Sequence, residues 1–434
     1  MDSKYMIYVI GLTHPRNLKQ GSSHDDLKTL IYDGYRFILS HQAAIEAGAL
    51  QVYYSALPFT PHNTLLYKTY AQEEEKSMHV LFGIPGEWSP CLASLTGGHG
   101  SITCVAYSHT GTQFALGFDS QFITIQEASS GELVSSFKYP TPQKILSLAF
   151  LPGDQYLVAG TTANAVAQWS VLTALIVRSY DGHNSSITSI AVCVKASNFM
   201  ASASKDTTIR LWDISTGKCA NVLSSKGSPV NAVAFTPDGA RLLSGSDDGF
   251  VRVWDVSQPS ACREVRVVSA HKSSITALAI SPDGCTYCTG SADHLVKTFT
   301  MDAEVPTFEF ADHANGITSL AHTINGATLL SSGDGERHAR LWDTSNGTLR
   351  GLTRGYLTQA AFLPDGERLV TGESIASSYK PLVGDNVCTS IYRRHISRLG
   401  SKGSLPHYRP QQPLRLDCIS QVLTRWEAAG NRWQ

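Results

Sequence analysis

Four histidines recur along the chain in similar short phrases, and histidine is the side chain that titrates closest to neutral pH. They are His99, His183, His271 and His313, and each stands just ahead of a run in which apolar and small polar residues alternate. The residue type would allow metal ligation or general acid–base catalysis. However, Trp and Asp recur in phase with the histidines, which favours a buried structural relay over an exposed catalytic group.

Tryptophan marks the period of this pattern. Trp169, Trp212, Trp254, Phe299 and Trp342 are separated by 43, 42, 45 and 43 residues, with Phe299 standing where a tryptophan is expected. The histidines lie 27 to 29 residues ahead of the equivalent positions. Two residue types that stay in phase over about six periods indicate a structural repeat.

Each period contains short runs of strand-forming residues separated by turns, as in ITSIAV, RLLSGS and VRVWDV. Alternation with period two predicts strands, and the Asp-Gly pairs between the runs predict tight turns. Four strands in roughly 43 residues are typical of one blade of a β-propeller. We therefore predict an all-β fold, a seven-bladed β-propeller, preceded by a short α-helical N-terminal extension.

The seventh blade has to be assembled from both ends of the repeat region. Tyr356–Gly372 supplies two strands, a third is expected within Ser377–Asp385, and Ser89–Leu95 is the candidate for the outer strand. This clasp would close the ring and cover the sheet edges that an open row of blades would expose. Without the third strand, the last blade would be incomplete and the ring less stable.

The Gly-His and Trp-Asp phrases resemble those of WD repeats, over roughly Leu92–Gly384. The resemblance implies a buried relay in which Trp212 donates to Ser202, Ser202 to His183, and His183 to Asp206. Buried polar groups are costly unless they satisfy one another, so the members of a relay should occur together. The residues assigned to such relays are His183, Ser202, Asp206, Trp212, Ser244, Asp248, Trp254, His271, Asp293, His313 and Trp342.

The repeats depart unequally from this pattern. The fourth repeat has no Gly-His phrase, the fifth has Phe299, and the sixth has Glu336 at the turn position. The second repeat keeps only Trp169. We therefore expect blades of unequal rigidity, with the third the most rigid and the first two looser.

The resemblance also implies where a partner would bind. In WD repeats, the residues that flank the small hydrophobic residue after the loop histidine line one mouth of the central channel. The matching positions are small and mostly polar, and they are Thr103, Ser186, Thr188, Pro229, Asn231, Ser274, Thr276 and Thr318. We expect a protein or peptide partner there, bound by a non-catalytic scaffold or recognition module.

A nucleic-acid-associated propeller and a propeller-based enzyme are the alternatives. The formal net charge of -1 gives no electrostatic argument for nucleic acid or for an acidic membrane. The nearest phrase to a phosphate loop, TGKC, has Cys219 where a hydroxyl is required, and Cys285 and Cys288 form a lone C-x2-C pair. We expect no nucleotide, metal or other cofactor.

The sequence before the repeats has a different pattern. The apolar spacing of His24–Gly48 predicts one helix, or two short ones that meet near Gly34. Tyr35–Trp88 resembles the linker between the NACHT nucleotide-binding region and the propeller in fungal heterokaryon-incompatibility-like proteins. That resemblance implies the sensor part of a fungal NACHT/WD system.

We divide the chain into a linker region, 1–88, a propeller, 89–385, and a basic tail, 386–434. The tail has eight Lys and Arg against two acidic residues, and it is either a disordered extension or an alternative reading of the gene's end. Nine scattered cysteines favour a reducing compartment, so we expect a cytoplasmic or nuclear protein without a membrane span. The oligomeric state stays open.

Overall fold

The computed structural model describes residues 29–41, 56–70, 91–96 and 99–393, with internal gaps. The gaps are residues 31–32, 35, 39, 129–130, 194–197, 337, 353–356, 363–367 and 374–387. All regular elements of the described chain from residue 91 onward are β-strands. The described part of the repeat region is therefore an all-β propeller built from four-stranded antiparallel sheets.

The first strand of the chain is β1 (Cys91–Thr96), and six blades follow it, each a sheet whose four strands pair in chain order. The strands of the first three blades are β2 (Ile102–Tyr107), β3 (Gln113–Phe118), β4 (Phe122–Glu127), β5 (Leu133–Lys138), β6 (Ile145–Phe150), β7 (Tyr156–Thr161), β8 (Val166–Ser170), β9 (Ile176–Tyr180), β10 (Ile187–Val192), β11 (Phe199–Ser204), β12 (Thr208–Asp213) and β13 (Cys219–Ser224).

The strands of the fourth to sixth blades are β14 (Val230–Phe235), β15 (Arg241–Ser246), β16 (Phe250–Asp255), β17 (Arg263–Ser269), β18 (Ile275–Ile280), β19 (Thr286–Ser291), β20 (Val296–Thr300), β21 (Phe308–Phe310), β22 (Ile317–His322), β23 (Thr328–Gly333), β24 (Arg340–Asp343) and β25 (Leu349–Leu352). The second strand of each of these six blades is buried almost throughout, because neighbouring blades cover both of its faces. The outer strands β5, β9, β13, β17 and β25 are mainly exposed or half-buried.

A further sheet combines β1 with β26 (Leu357–Phe362), β27 (Arg368–Glu373) and β28 (Cys388–Arg393). Its order is β1-β28-β27-β26, so β1 takes the outer position. The expected third strand, Ser377–Asp385, lies outside the described residues, and β28 is the strand that pairs with both β27 and β1. The expectation rested on the repeat period, and β28 begins later in the chain than that period predicts.

Neighbouring blades pack through a repeated pair of a small and a large residue. A methyl group at Gly245 would lie 2.5 Å from Ile275 Cγ2 of the next blade, and one at Gly160 would lie 2.6 Å from Ile187 Cγ2. Between the third and fourth blades the equivalent residues are Ala203 and Val230, both fully buried in one apolar cluster. Where alanine replaces glycine on one blade, valine thus replaces isoleucine on the next.

The region ahead of the propeller strands is helical where it is described. Residues 29, 30, 33, 34, 36–38 and 40 are helical, inside the predicted His24–Gly48 helix, and a 3-10 turn (Leu57–Phe59) and an α-helix (Leu65–Tyr70) follow. The Asp33 carboxylate accepts the backbone N–H groups of Leu65 and Leu66, at 2.7 and 3.2 Å. None of the helices in the described ranges is long and apolar enough to cross a membrane.

Candidate functional site

The third blade holds its relay residues at hydrogen-bond distance from one another. Trp212 Nε1 donates to Ser202 Oγ at 2.8 Å, Ser202 Oγ lies 2.8 Å from His183 Nε2, and His183 Nδ1 lies 2.7 Å from Asp206 Oδ2. Ser202 and Trp212 lie on β11 and β12, whereas His183 lies in the loop before β10 and Asp206 in the turn after β11. The relay therefore fastens a loop and a turn to the centre of the sheet.

Burial and hydrogen bonding set the charges in this relay. Burial lowers the pKa of His183 below its ordinary value, and the hydrogen bond to Asp206 offsets only part of that effect. Burial of Asp206 favours its protonated form, yet hydrogen bonds from Thr208 and from the Asn184 N–H prevail and lower its pKa to about 2. A neutral imidazole therefore donates to a carboxylate that is ionised near neutral pH.

Ser202, His183 and Asp206 have the connectivity of a hydrolase triad, but this site cannot act as one. Ser202 is fully buried, and its oxygen already accepts the indole N–H of Trp212. A nucleophile must reach its substrate, and a carbonyl carbon has no path to this oxygen. The chemistry of the relay is therefore structural.

The sixth blade completes its relay with a residue that the sequence pattern does not anticipate. Trp342 Nε1 donates to Ser331 Oγ at 2.8 Å, Ser331 Oγ lies 2.7 Å from His313 Nε2, and His313 Nδ1 lies 2.9 Å from Glu336 Oε2. Glu336 also pairs with Arg340. The longer side chain of Glu336 thus reaches the place that an aspartate holds in the third blade.

The fifth blade has a shorter relay. His271 Nε2 lies 2.8 Å from Thr289 Oγ1, and His271 Nδ1 lies 3.0 Å from Asp293 Oδ2. Phe299, at the tryptophan position, has no N–H to donate and stacks on Tyr287 with ring centres 5.1 Å apart. Thr289 therefore ends the relay, a role that the sequence analysis did not assign.

The fourth blade replaces histidine with an arginine on β16. Trp254 Nε1 donates to Ser244 Oγ at 2.9 Å, as in the third blade. Asp248, however, pairs with Arg252 at 2.6 Å, and the Arg252 side chain is only 5% exposed. The loop of this blade has no histidine, and the Arg252 guanidinium pairs with Asp248 in its place. The recurring Arg two residues before Trp-Asp was the signal that sequence reasoning passed over.

The first two blades contain no such relay among their described residues. His99 stacks on Phe122 with ring centres 4.2 Å apart, and Gln126 stands at the tryptophan position. Trp169 of the second blade is buried, and its Nε1 makes no well-aligned hydrogen bond to a described residue. Ala159 takes the place of the relay serine there.

Most of the predicted partner-binding residues hold blades together. Each inner strand has a register irregularity near its start, and Thr103, Thr188 and Thr276 occupy it. Their hydroxyls lie 2.5 Å from the carbonyl oxygens of Ile145, Val230 and Ile317, the first residues of the next inner strands. These threonines therefore form inter-blade hydrogen bonds as well as lying half-buried at the ends of inner strands.

The remaining predicted positions divide between two roles. Asn231 donates to Asp247 Oδ1 at 2.7 Å and to Ser274 Oγ at 2.9 Å, so it joins Ser274 in one network between the fourth and fifth blades. Ser186 donates to the Thr162 carbonyl oxygen of the second blade. Thr318 bonds within its own blade to Ser332, and Pro229 precedes β14. All five are half-buried, whereas the relay histidines are buried.

The two cysteines of the C-x2-C pair lie in different surroundings. Cys285 is exposed, whereas Cys288 is buried with its sulfur 3.2 Å from His322 Nε2. Burial raises the pKa of the Cys288 thiol and lowers the pKa of His322 to about 4, so both groups stay neutral. Within the described ranges, no three His, Cys, Asp or Glu side chains are placed to hold a metal ion.

The family model for the WD domain, G-beta repeat, matches five segments of the chain. They are residues 89–123, 175–213, 217–255, 262–299 and 304–343. The stretch between the first two segments contains β6–β8 of the second blade, the blade without a relay. Four of the matched segments lie in blades that contain a relay or part of one. The first segment, 89–123, matches although its blade has no relay among the described residues.

Three curated proteins illustrate the range of relatives. Nuclear distribution protein nudF of Aspergillus niger is 32% identical over 159 residues, or 36% of each chain. Autophagy-related protein 16 of Arabidopsis thaliana is 29% identical over 321 residues, 72% of this chain and 53% of the relative. Vegetative incompatibility protein HET-E-1 of Podospora anserina is 36% identical over 105 residues, 24% of this chain and 8% of the relative.

The chain spans about half or less of the length of each of these relatives. Each of the three therefore shares part of a protein with this chain rather than a whole one. With its matched repeats, its four-stranded sheets and its similarity to HET-E-1, the chain is a WD40-repeat β-propeller that resembles HET-E-like proteins.

Proposed function

We propose that the protein is a non-catalytic scaffold that binds a protein or peptide partner at the channel mouth. The observation that carries this proposal is the burial of the three relay histidines. His183, His271 and His313 are all buried in relays with paired carboxylates, which leaves loops and inner-strand ends as the surface for recognition. Propellers of this family generally act as interaction scaffolds, which supports the same function.

The channel-mouth surface is tested by changing its charge and bulk. The triple variant Thr188→Arg, Asn231→Arg and Thr276→Arg is expected to lose most partner recovery in a pull-down with the full chain. Because all three residues also join blades, the control is the triple variant Thr188→Val, Asn231→Leu and Thr276→Val, which removes these hydrogen bonds without adding charge or much bulk. Partner recovery that survives the triple arginine variant, in a chain with a normal circular dichroism spectrum, would contradict this location.

A closed seven-bladed ring is part of the proposal. β26 contacts both β22 and β2, and β28 bridges β27 and β1, which supports a blade clasped by strands from both ends of the repeat region. Deleting residues 1–96 removes β1, whereas deleting residues 1–90 keeps it. The longer deletion should melt several degrees lower than the shorter one. Equal melting temperatures would rule out a stabilising clasp.

The sensor part of a fungal NACHT/WD system is the finer candidate. It is supported by the similarity to HET-E-1 and by the linker-like residues 35–88. Such a sensor should co-purify with a NACHT-domain protein when the two are co-expressed, and failure to do so at micromolar concentrations would weigh against this role. The net charge of -1 gives no support to nucleic-acid binding. Cytoplasmic or nuclear localisation, and the three-part domain division, stay predictions.

A further inference from the structure

The loop between β5 and β6 differs from the loops that carry relay histidines. Thr141 lies four residues ahead of Ile145, the first residue of β6, as His183 lies four residues ahead of Ile187 in the third blade. His183 is buried, but Thr141 is exposed. Since no relay fastens this loop to the second blade, its threonine hydroxyl stays at the surface.

Two prolines keep this loop extended. Pro140 and Pro142 flank Thr141, and all three residues are exposed. A proline restricts the residue before it to extended conformations, and it has no N–H with which to join a sheet. Lys144, three residues after Thr141, is also exposed. Protein kinases bind their substrates as extended segments, and the proline-directed class prefers Pro directly after the acceptor, with a basic residue two positions later.

The other Ser-Pro and Thr-Pro pairs of the described chain have engaged hydroxyl groups. Thr60, Thr236 and Ser281 are buried, and they donate to the Ala56 carbonyl, to Asp238 and to Asp283 respectively. Ser228 is half-buried, and its oxygen accepts the Asp248 N–H.

Thr141 is the exception among these pairs. Its oxygen accepts the Gln143 side-chain N–H at 2.9 Å, and its own proton is given to no group in the described chain. Gln143 in turn accepts the Thr161 hydroxyl of β7 at 2.6 Å. Ser228 also only accepts a hydrogen bond, but it is half-buried, so Thr141 is the most exposed acceptor of this type within the described residues.

We propose that Thr141 is a phosphorylation site for a proline-directed serine/threonine protein kinase. Thr141 Oγ1 forms a bond to the γ-phosphorus of ATP, while the bond from that phosphorus to the β–γ bridging oxygen breaks. ADP leaves with the bond's electron pair, and the threonine proton passes to the catalytic base of the kinase. The chain gains a phosphate that carries between one and two negative charges near neutral pH, beside Lys144.

The phosphate would act on recognition through its charge, a consequence that rests on the proposed scaffold function. Thr141 lies four residues from Ile145, whose carbonyl oxygen accepts the hydroxyl of Thr103 at the predicted channel mouth. A phosphate there would repel an acidic partner and attract a basic one. The site itself does not depend on the identity of that partner.

The site is tested on the folded full chain with a purified proline-directed kinase and ATP. Mass spectrometry of the digested protein should find phosphate at Thr141 and lose it in Thr141→Ala. Lys144→Ala should lower the rate several-fold. Thr236 is the buried control, since it also precedes proline, and it should gain no phosphate in the folded chain.

Two results would overturn the assignment. One is a folded chain that stays unmodified at Thr141 while a synthetic peptide of residues 136–147 is modified readily. The other is equal phosphate at Thr141 and Thr236 in the folded chain. Partner recovery by the phosphorylated chain is a separate readout, so loss of the scaffold function and loss of the site give different results.

Discussion

The third and second blades carry the same tryptophan in two different settings. In the third blade, the Trp212 indole N–H donates to Ser202 and begins a relay of four residues. In the second blade, the N–H of Trp169 makes no well-aligned hydrogen bond to a described residue, and the ring is packed by Phe137 and Tyr139, with ring centres 5.5 and 5.0 Å away. Aromatic packing can thus keep the tryptophan after the relay has gone.

The comparison separates two contributions of one residue. A buried tryptophan contributes apolar area in both blades, but only in the third does it also satisfy buried polar partners. The fourth to sixth blades lie between these extremes, with Arg252, Thr289 and Glu336 each replacing one member of the relay. The relay therefore tolerates substitution where the buried polar atoms stay satisfied.

The largest expected effect is the truncation of the two tryptophans. Trp212→Ala should cost about 5 kcal/mol, because it empties a packed site and leaves the buried Ser202 oxygen without its indole donor. Trp169→Ala should cost about 3 kcal/mol, because it removes packing alone. Urea unfolding of both variants checks the order. A smaller loss for Trp212→Ala than for Trp169→Ala would break the comparison.

Blade-to-blade packing should show the next largest effect. Gly245→Ala places a methyl against Ile275 and should cost roughly 2 kcal/mol by overpacking. Adding Ile275→Val should recover only part of this loss, since the pair then matches Ala203 and Val230 of the neighbouring interface but valine keeps the Cγ2 atom that the methyl approaches. A double variant no more stable than Gly245→Ala would show that the two interfaces differ for another reason.

The stability that Glu336 gives to the sixth blade should depend on the charge of its side chain as well as on its length. Glu336→Gln keeps the length of the side chain but removes the charge that pairs with Arg340 and orients His313. We expect a loss of about 1 to 2 kcal/mol in the free energy of unfolding. Lys226→Gln removes a charge from an exposed ion pair with Glu264 and should change stability by less than about 0.5 kcal/mol.

The smallest effect is the pH dependence of the relays. Burial lowers the pKa values of His183, His271 and His313 in the folded chain below the ordinary value of 6.5. The unfolded chain therefore binds more protons as pH falls below 6.5, and stability is lost in that direction. The slope of unfolding free energy between pH 7 and pH 5.5 should shrink in His271→Asn. An unchanged slope would show that His271 does not contribute.

The relay of the third blade could be predicted from the sequence because its Gly-His and Trp-Asp phrases resemble those of WD repeats, and that resemblance implies the relay. The exceptions escaped for physical reasons. Glu336 reaches the aspartate position through an extra methylene, and Arg252 approaches Asp248 from the strand rather than from the loop. The residue type at one position of the repeat does not indicate which side chain of another element will bond to it.

The bonds between blades could not be predicted in the same way. Thr103, Thr188 and Thr276 were assigned to partner contact because they match family positions, but their hydroxyls lie against carbonyl oxygens of the next inner strand. Such contacts depend on the register irregularity of the inner strands, which has no sequence signature of its own. β28 could not be predicted from the repeat period either, because it pairs with β1, which lies far away in the chain.

A double-mutant cycle on Trp212 and Ser202 tests the central claim most directly. The unfolding free energies of the wild type, Trp212→Phe, Ser202→Ala and the double variant are compared in urea. Because each single change leaves a buried polar group unsatisfied, the relay predicts a coupling energy of about 1 kcal/mol or more. Additive losses, with a coupling indistinguishable from zero, would contradict the claim that these residues act as one buried unit.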